Sequence, residues 1–254
     1  MLIDTHCHLD AAEFDADRDE VVARAHAAGV GIMVIPGVER AGFGAVLAAC
    51  ERHPGCAPAL GIHPMYVDRA RPEDLTVLRE MIALHHPVAI GEIGLDFFVP
   101  DYDRERQEFY FSEQLKIAQE FNLPVLLHIR RAQDAVLKFL RRARVKGGIA
   151  HAFNGSRQQA EEFIKLGFKL GFGGAMTYDR ATKLRELAAP LPLKSIVLET
   201  DAPDMPPEFI GKARNCPEYL PRIAVTLAEL RGIGAEEMAA ATTANARAIL
   251  KGLA

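Results

Sequence analysis

Residues 88–130 read VAIGEIGLDFFVPDYDRERQEFYFSEQLKIAQEFNLPVLLHIR. A short apolar run opens the stretch at 88–93, a helical pattern fills 104–121, and a second apolar run follows at 124–129. Both runs are rich in Val, Ile and Leu and are too short for helices. Such runs read as parallel strands buried on both faces. The same order extends in both directions. Further runs stand at 2–5, 31–36, 57–62, 147–150, 168–173 and 195–199, making eight. Helical patterns at 19–28 and 156–166 lie between them, and 217–231 plus 235–251 read as helical. Gly29, Pro54 and Gly167 stand where helices should stop. Eight strands alternating with helices over about 250 residues is the count of an α/β fold of the (β/α)8, or TIM-barrel, type. An open doubly wound sheet is the alternative. With no linker or low-complexity tract, 1–254 reads as a single domain. Pro203, Pro206, Pro207 and Pro217 mark a long ordered loop after Asp201.

Composition narrows the function classes. The chain has 254 residues, 49% hydrophobic and 25% charged, enough for one large core. No apolar run is long enough for a membrane span, and the N-terminus carries no secretory pattern. Cys7, Cys50, Cys56 and Cys216 are irregularly spaced, so free thiols in a reducing cytoplasm are expected. The net charge of −4 counts against a protein that coats nucleic acid non-specifically, but not against an enzyme that grips a few phosphates. Nothing marks an obligate protein partner, and a monomer is expected.

Barrel chemistry sits at the C-terminal ends of the strands. His6 and His8 are read at the end of the first strand, Glu92 the fourth, His128 the fifth, His151 the sixth and Asp201 the eighth. Each interrupts an apolar run, and a buried polar group is costly unless partnered. Residues i and i+2 of a strand share a face, so His6 and His8 can converge on one ion. Asp4 has the same parity and reads as a hydrogen-bonding support below them. Cys7 has the opposite parity and reads as a small buried hydrophobe. Six nitrogen and oxygen ligands suit two ions rather than one tetrahedral ion, with Glu92 able to bridge. The ligand mixture does not choose among zinc, manganese and magnesium.

These residues lie in segments with a recognisable order: Ile3-Asp-Thr-His-Cys-His-Leu-Asp10, Gly61-Ile-His-Pro64, Gly91-Glu-Ile-Gly-Leu-Asp96, Leu127-His-Ile-Arg130, His151-Ala-Phe-Asn-Gly155 and Glu199-Thr-Asp-Ala-Pro203. The chain thereby resembles the TatD family of metal-dependent deoxyribonucleases, in the amidohydrolase superfamily, and within it a bacterial YjjV-like subgroup. The resemblance implies that His6, His8 and Asp201 bind one metal, that His128 and His151 bind a second, and that Glu92 bridges. It also implies hydrolysis of DNA phosphodiesters from the 3′ end. The departures are Met65 where the family commonly has histidine, the segment His151-Ala-Phe-Asn-Gly155, and Cys216 where an acid is usual. None changes a ligand residue, and they fall where substrate would be gripped.

The chemistry expected is attack by hydroxide from a shared metal-bound water, with Asp201 as base and Glu92 fixing the metal spacing. His63 is a candidate to contact a phosphate or the leaving oxygen, and Arg130 to grip a phosphate. Lys138, Arg141, Arg142, Arg144 and Lys146 read as a solvated helix face rather than a DNA track. His26, His53, His85 and His86 are assigned no chemistry. Two other functions stay open: an amide, ester or lactone hydrolase, including an aminoacyl-tRNA deacylase, and an inactive scaffold that binds nucleic acid or a partner. A glutamate rather than a lysine in the fourth strand favours the nuclease branch.

Overall fold

All eight apolar runs form parallel strands in the computed structural model of the chain, whose described residues are 1–253. The strands are β1 (Leu2–Asp4), β2 (Val30–Pro36), β3 (Cys56–Leu60) and β4 (Ala89–Asp96). They continue as β5 (Val125–Arg130), β6 (Gly148–Ala150), β7 (Phe168–Phe172) and β8 (Ile196–Leu198). Each pairs with the next in sequence order, β1 through β8. The seam between β8 and β1 is bridged by Thr5 N–H to Leu198 O (3.1 Å) and Asp201 N–H to His6 O (2.8 Å). The result is a TIM barrel rather than an open sheet.

The helices on its outside are α1 (Arg18–Ala27), α2 (Phe43–Arg52), α3 (Pro72–His85), α4 (Arg104–Glu120) and α5 (Gln133–Ala143). After them come α6 (Arg157–Lys165), α7 (Thr182–Ala188), α8 (Leu220–Arg231) and α9 (Ala235–Ile249). Local chemistry sets their ends. Asp103 caps α4 by accepting from Arg106 N–H at 2.9 Å, and Ser156 forms a reciprocal capping box with Gln159 on α6. Gly232 ends α8 in the left-handed conformation at φ 65°. Among the described residues, no helix is long and apolar enough to cross a membrane.

Two apolar layers result. One lies between strands and helices, where Phe111 and Leu115 of α4 and Phe163 of α6 are buried. The other takes Ile3, Ile32, Val34, Ala59, Ala89, Leu126, Ile149 and Val197 from seven strands, and Leu250 and Leu253 close it from below. This filled interior leaves the opposite mouth for chemistry.

Several strand boundaries differ from the sequence reading. β1 stops at Asp4 and β6 at Ala150, so His6, His8 and His151 lie just beyond their strands. β4 runs on to Asp96, so Glu92 lies in mid-strand rather than at its end. The β4–β5 register shifts between Ile90 and Ile93, an irregularity that apolar patterning does not announce. β3 stops at Leu60 and β8 at Leu198, so His63 and Asp201 each sit in the loop beyond. His128 lies within β5, whose last residue is Arg130. Two glutamines of α4 pin strand ends from outside. Gln114 donates to Ile62 O (3.0 Å) and accepts from Ile62 N–H (2.6 Å), beside His63. Gln107 does the same for the backbone of Asp96, at 3.0 and 2.9 Å.

Candidate metal centre

The six residues chosen as ligands converge at the barrel mouth. Glu92 stands at the centre, 2% exposed. Its Oε2 faces His6 Nε2 (3.2 Å) and His8 Nε2 (3.6 Å). Its Oε1 faces His128 Nδ1 (3.0 Å), His63 Nε2 (3.5 Å) and His151 Nε2 (3.8 Å). The two oxygens of one carboxylate thus address two sets of imidazoles.

Asp201 joins the first set. Its Oδ1 lies 3.7 Å from both His6 Nε2 and His8 Nε2, and its Oδ2 lies 3.8 Å from His151 Nε2. The backbone of Asp201 takes φ 58°, which turns the side chain back over the mouth. His6 and His151 stack at 3.7 Å, whereas the rings of His128 and His151 are 6.4 Å apart. Three groups have donor atoms close enough to share an ion: His6–His8–Asp201, His6–Glu92–His151 and His63–Glu92–His128. His63 therefore stands among the ligand donors, where the sequence reading had only a substrate contact. His151 groups with His6 and not with His128.

The donor set fits divalent ions. For nitrogen and oxygen ligands about 2.0–2.1 Å from a tetrahedral ion, neighbouring donors are about 3.4 Å apart. Among His6 Nε2, His8 Nε2, Glu92 Oε2 and Asp201 Oδ1, the five distances that involve an imidazole are 3.2–3.7 Å, His6 and His8 being 3.3 Å apart. Imidazole and carboxylate are also the ligand types that zinc and manganese accept.

Electrostatics agree with that fit. Burial, reinforced by neighbouring histidines, pushes the His6 imidazole down to about 3. Burial likewise pushes His63 down to about 4. Both rings stay neutral, as a ligand must. His151 goes the other way: burial opposes its charge, but Asp201, Glu199 and Glu92 outweigh it and lift it to about 10. Burial also opposes charge on His128, and hydrogen bonds to Asp96 and Glu92 raise it nonetheless. Without metal, then, protons on His128 and His151 balance the carboxylates. Glu92 is held well below the usual carboxylate range despite burial, because His63, His6 and His128 surround it. Burial pushes the Asp201 carboxyl up to about 6.

Two further carboxylates stand behind the imidazoles, one hydrogen-bonded and one at ion-pair distance. Asp96, fully buried, accepts from His128 Nε2 at 2.9 Å, and Glu199 Oε1 lies 3.2 Å from His151 Nδ1. A carboxylate behind a histidine fixes its tautomer and orientation toward a metal. Sequence reasoning gave neither residue this role. The available signal was parity: Asp96 is four residues from Glu92 on one strand, and Glu199 two from Asp201. Asp4 is corrected. It touches no imidazole; it accepts from His6 N–H (3.2 Å), Thr200 N–H (3.0 Å) and Thr200 Oγ1–H (2.6 Å), tying β1 to the loop after β8.

The remaining candidates sit as follows. Arg130 lies on the rim, exposed, with its guanidinium 3.8 Å from the centre of the Phe98 ring. Cys7 is fully buried, and burial pushes its thiol well up. Arg141 pairs with Glu162 at 2.8 Å on the outside of the barrel, consistent with a solvated face.

A family model described as TatD related DNase matches residues 3–251. The metal-dependent hydrolase YjjV of Escherichia coli K12 is 43% identical over 246 residues, covering 96% of this chain and 95% of that protein. A protein of Erwinia tasmaniensis named 3′-5′ ssDNA/RNA exonuclease TatD is 36% identical, with 97% and 98% covered. The crystal structure of the E. coli YjjV, a TatD homologue, superposes with a TM-score of 0.95 at 42% identity over 98% of each chain. Organophosphorus hydrolase from Deinococcus radiodurans shares the fold, at 15% identity and a TM-score of 0.68. With histidines and carboxylates converged at a barrel mouth and these matches along almost its whole length, the chain belongs to the TatD family of metal-dependent hydrolases.

Proposed function

We propose that the protein hydrolyses phosphodiester bonds of nucleic acid, most directly DNA from its 3′ end, with two divalent ions held on either side of Glu92. The observation that carries this is the division of Glu92: Oε2 toward His6 and His8, Oε1 toward His63, His128 and His151. His6, His8 and Asp201 would hold one ion and His63 and His128 the other, with His151 beside Glu92 on the His6 side; zinc, manganese or magnesium would serve in each case. Bound ions supply Lewis acidity, making a water acidic enough to give hydroxide near neutral pH and countering charge on a phosphate.

The protein's own groups do the rest. Glu92 stays ionised and fixes the spacing. Asp201 lies on the open side of the site, its side chain 14% exposed, where it can serve as the base toward an incoming water. Asp96 and Glu199 hold His128 and His151 in register. The name of the Erwinia relative supports a nucleic-acid substrate. β4 carries Glu92 at the centre and no lysine, which speaks against the carboxylated-lysine branch of the superfamily.

The test is hydrolysis by metal-loaded protein of single- and double-stranded DNA, alongside ester and lactone substrates, repeated with Glu92→Ala. Metal-dependent release of 5′-mononucleotides, lost in the variant, is expected. Ester or lactone cleavage without DNA cleavage would overturn the substrate, and nucleotide release by a pure Glu92→Ala preparation would overturn the bridge.

A further inference from the structure

The mouth carries a feature that the metal centre does not use. Phe98 is 43% exposed, in the loop after β4. Arg130 and Arg131 place their guanidinium carbons 3.8 and 4.5 Å from the centre of its ring. Among the described residues, neither arginine has a carboxylate within ion-pair distance, so two like charges share one aromatic ring without compensation. The chain as a whole is net negative, which makes this local positive pair stand out. Met65 and Met205, 51% and 37% exposed, add apolar surface on the loops after β3 and β8.

The loop is held in place. Asp96 Oδ1 accepts from Phe98 N–H (2.8 Å) and Val99 N–H (3.3 Å), while Oδ2 of the same carboxylate holds His128. The strand register pairs Asp96 with Arg130, and Phe97 N–H donates to Arg130 O at 2.9 Å. Phe98 is thus linked through one carboxylate to a candidate metal ligand. An exposed aromatic gives a base a face to stack on, and unpaired guanidinium groups suit the neighbouring phosphate.

We infer that Phe98, Arg130 and Arg131 form a platform that takes an unpaired nucleobase and its phosphate and feeds the strand into the metal centre. This rests on the nuclease reading, with the single-stranded substrate that the name of the Erwinia relative carries, and adds to it the residues of this chain that would recognise such a strand. A base locked in a duplex presents only its edges, so the platform works on single-stranded ends. The arginines supply affinity blind to sequence, and the phenylalanine supplies the preference for a base over a bare backbone.

The experiment measures binding by fluorescence anisotropy. Manganese-loaded protein is titrated with two phosphorothioate-linked, cleavage-resistant oligonucleotides, one of thymidylate and one of abasic nucleotides. The wild type should prefer the thymidylate strand by about 5- to 150-fold, the range of one stacked base. Phe98→Ala should remove most of that preference and Phe98→Tyr should keep it. Arg130→Ala with Arg131→Ala should weaken both probes alike and flatten the salt dependence. No preference in the wild type, or an undiminished preference in Phe98→Ala, overturns the platform. The nuclease reading is checked apart, by wild-type hydrolysis of unmodified single-stranded DNA. Hydrolysis with an unchanged Phe98→Ala preference overturns the platform alone.

Discussion

Asp96→Asn separates the holding of an imidazole from the holding of a fold. Asp96 Oδ1 accepts from two backbone N–H groups and Oδ2 accepts from His128 Nε2–H. With Nε2 donating to Asp96, Nδ1 is the nitrogen left to lose its proton to a metal; in the metal-free protein it lies 3.0 Å from Glu92 Oε1. Asparagine has one acceptor oxygen. The backbone of Phe98 and Val99 claims it, because leaving buried N–H groups unpaired costs about 1–3 kcal/mol. The amide nitrogen then faces His128 Nε2, and the ring must accept there and carry its proton on Nδ1. That proton occupies the position a metal needs. Loss of such a supporting carboxylate costs about 10- to 100-fold in metal affinity, or about 1.4–2.7 kcal/mol. The loss should fall on the ion beside His63, Glu92 and His128 and spare the one beside His6, His8 and Asp201. Calorimetric titration with manganese, paired with thermal melting of the metal-free protein, reads both. Two sites of wild-type affinity in a well-folded Asp96→Asn would refute the reasoning.

Other outcomes follow from the same contacts. Since His151 is lifted to about 10 and His128 is also raised in the metal-free protein, metal must displace protons at neutral pH. Affinity should therefore rise with pH, about tenfold per unit for each proton displaced, with binding heats that vary with the buffer's ionisation enthalpy; buffer-independent heats would contradict this. The Asp4 carboxyl is pushed up to about 7 by burial, so the folded chain holds a proton that the unfolded chain gives up near 4. Its stabilising contribution is complete below that lower value and is lost as pH rises to about 7, by up to about 1.4 kcal/mol per unit. Denaturant curves of metal-free Asp4→Asn should lack that slope, and curves parallel to wild type between pH 4 and 7 would exclude it. A Cβ added at Gly171 would lie 2.1 Å from Glu199 Oε2. Gly171→Ala should therefore cost about 1–3 kcal/mol and loosen His151, and an unchanged denaturation midpoint together with unchanged metal binding would argue against it.

The barrel was legible because parallel strands buried on both faces leave continuous apolar runs between helical patterns. The ligands were legible for the opposite reason: His6, Glu92, His128 and His151 interrupt those runs, and burial needs a partner to compensate. What was hidden is tertiary. The register shift in β4 sets Glu92 in mid-strand and leaves no mark in the local pattern. His63 and Asp201, like His6, His8 and His151, reach the centre from beyond the strand ends, where period-two parity no longer reports direction. Asp96 and Glu199 act through histidines distant in sequence, and the glutamines of α4 pin strand ends from a neighbouring helix, contacts fixed only once the elements pack. Asp4 had the right parity, yet its carboxylate serves backbone N–H groups of β1 and the β8 loop rather than an imidazole. Phe98 reads as one more apolar residue until its exposure and its two arginines are known.

The central claim is that Glu92 stands between two ions. Anomalous diffraction at the manganese edge from manganese-soaked crystals tests it directly. The account predicts two peaks, one beside each oxygen of Glu92, the first also touching His6 and His8 and the second His128. A single peak, or two peaks of which neither touches Glu92, would contradict it.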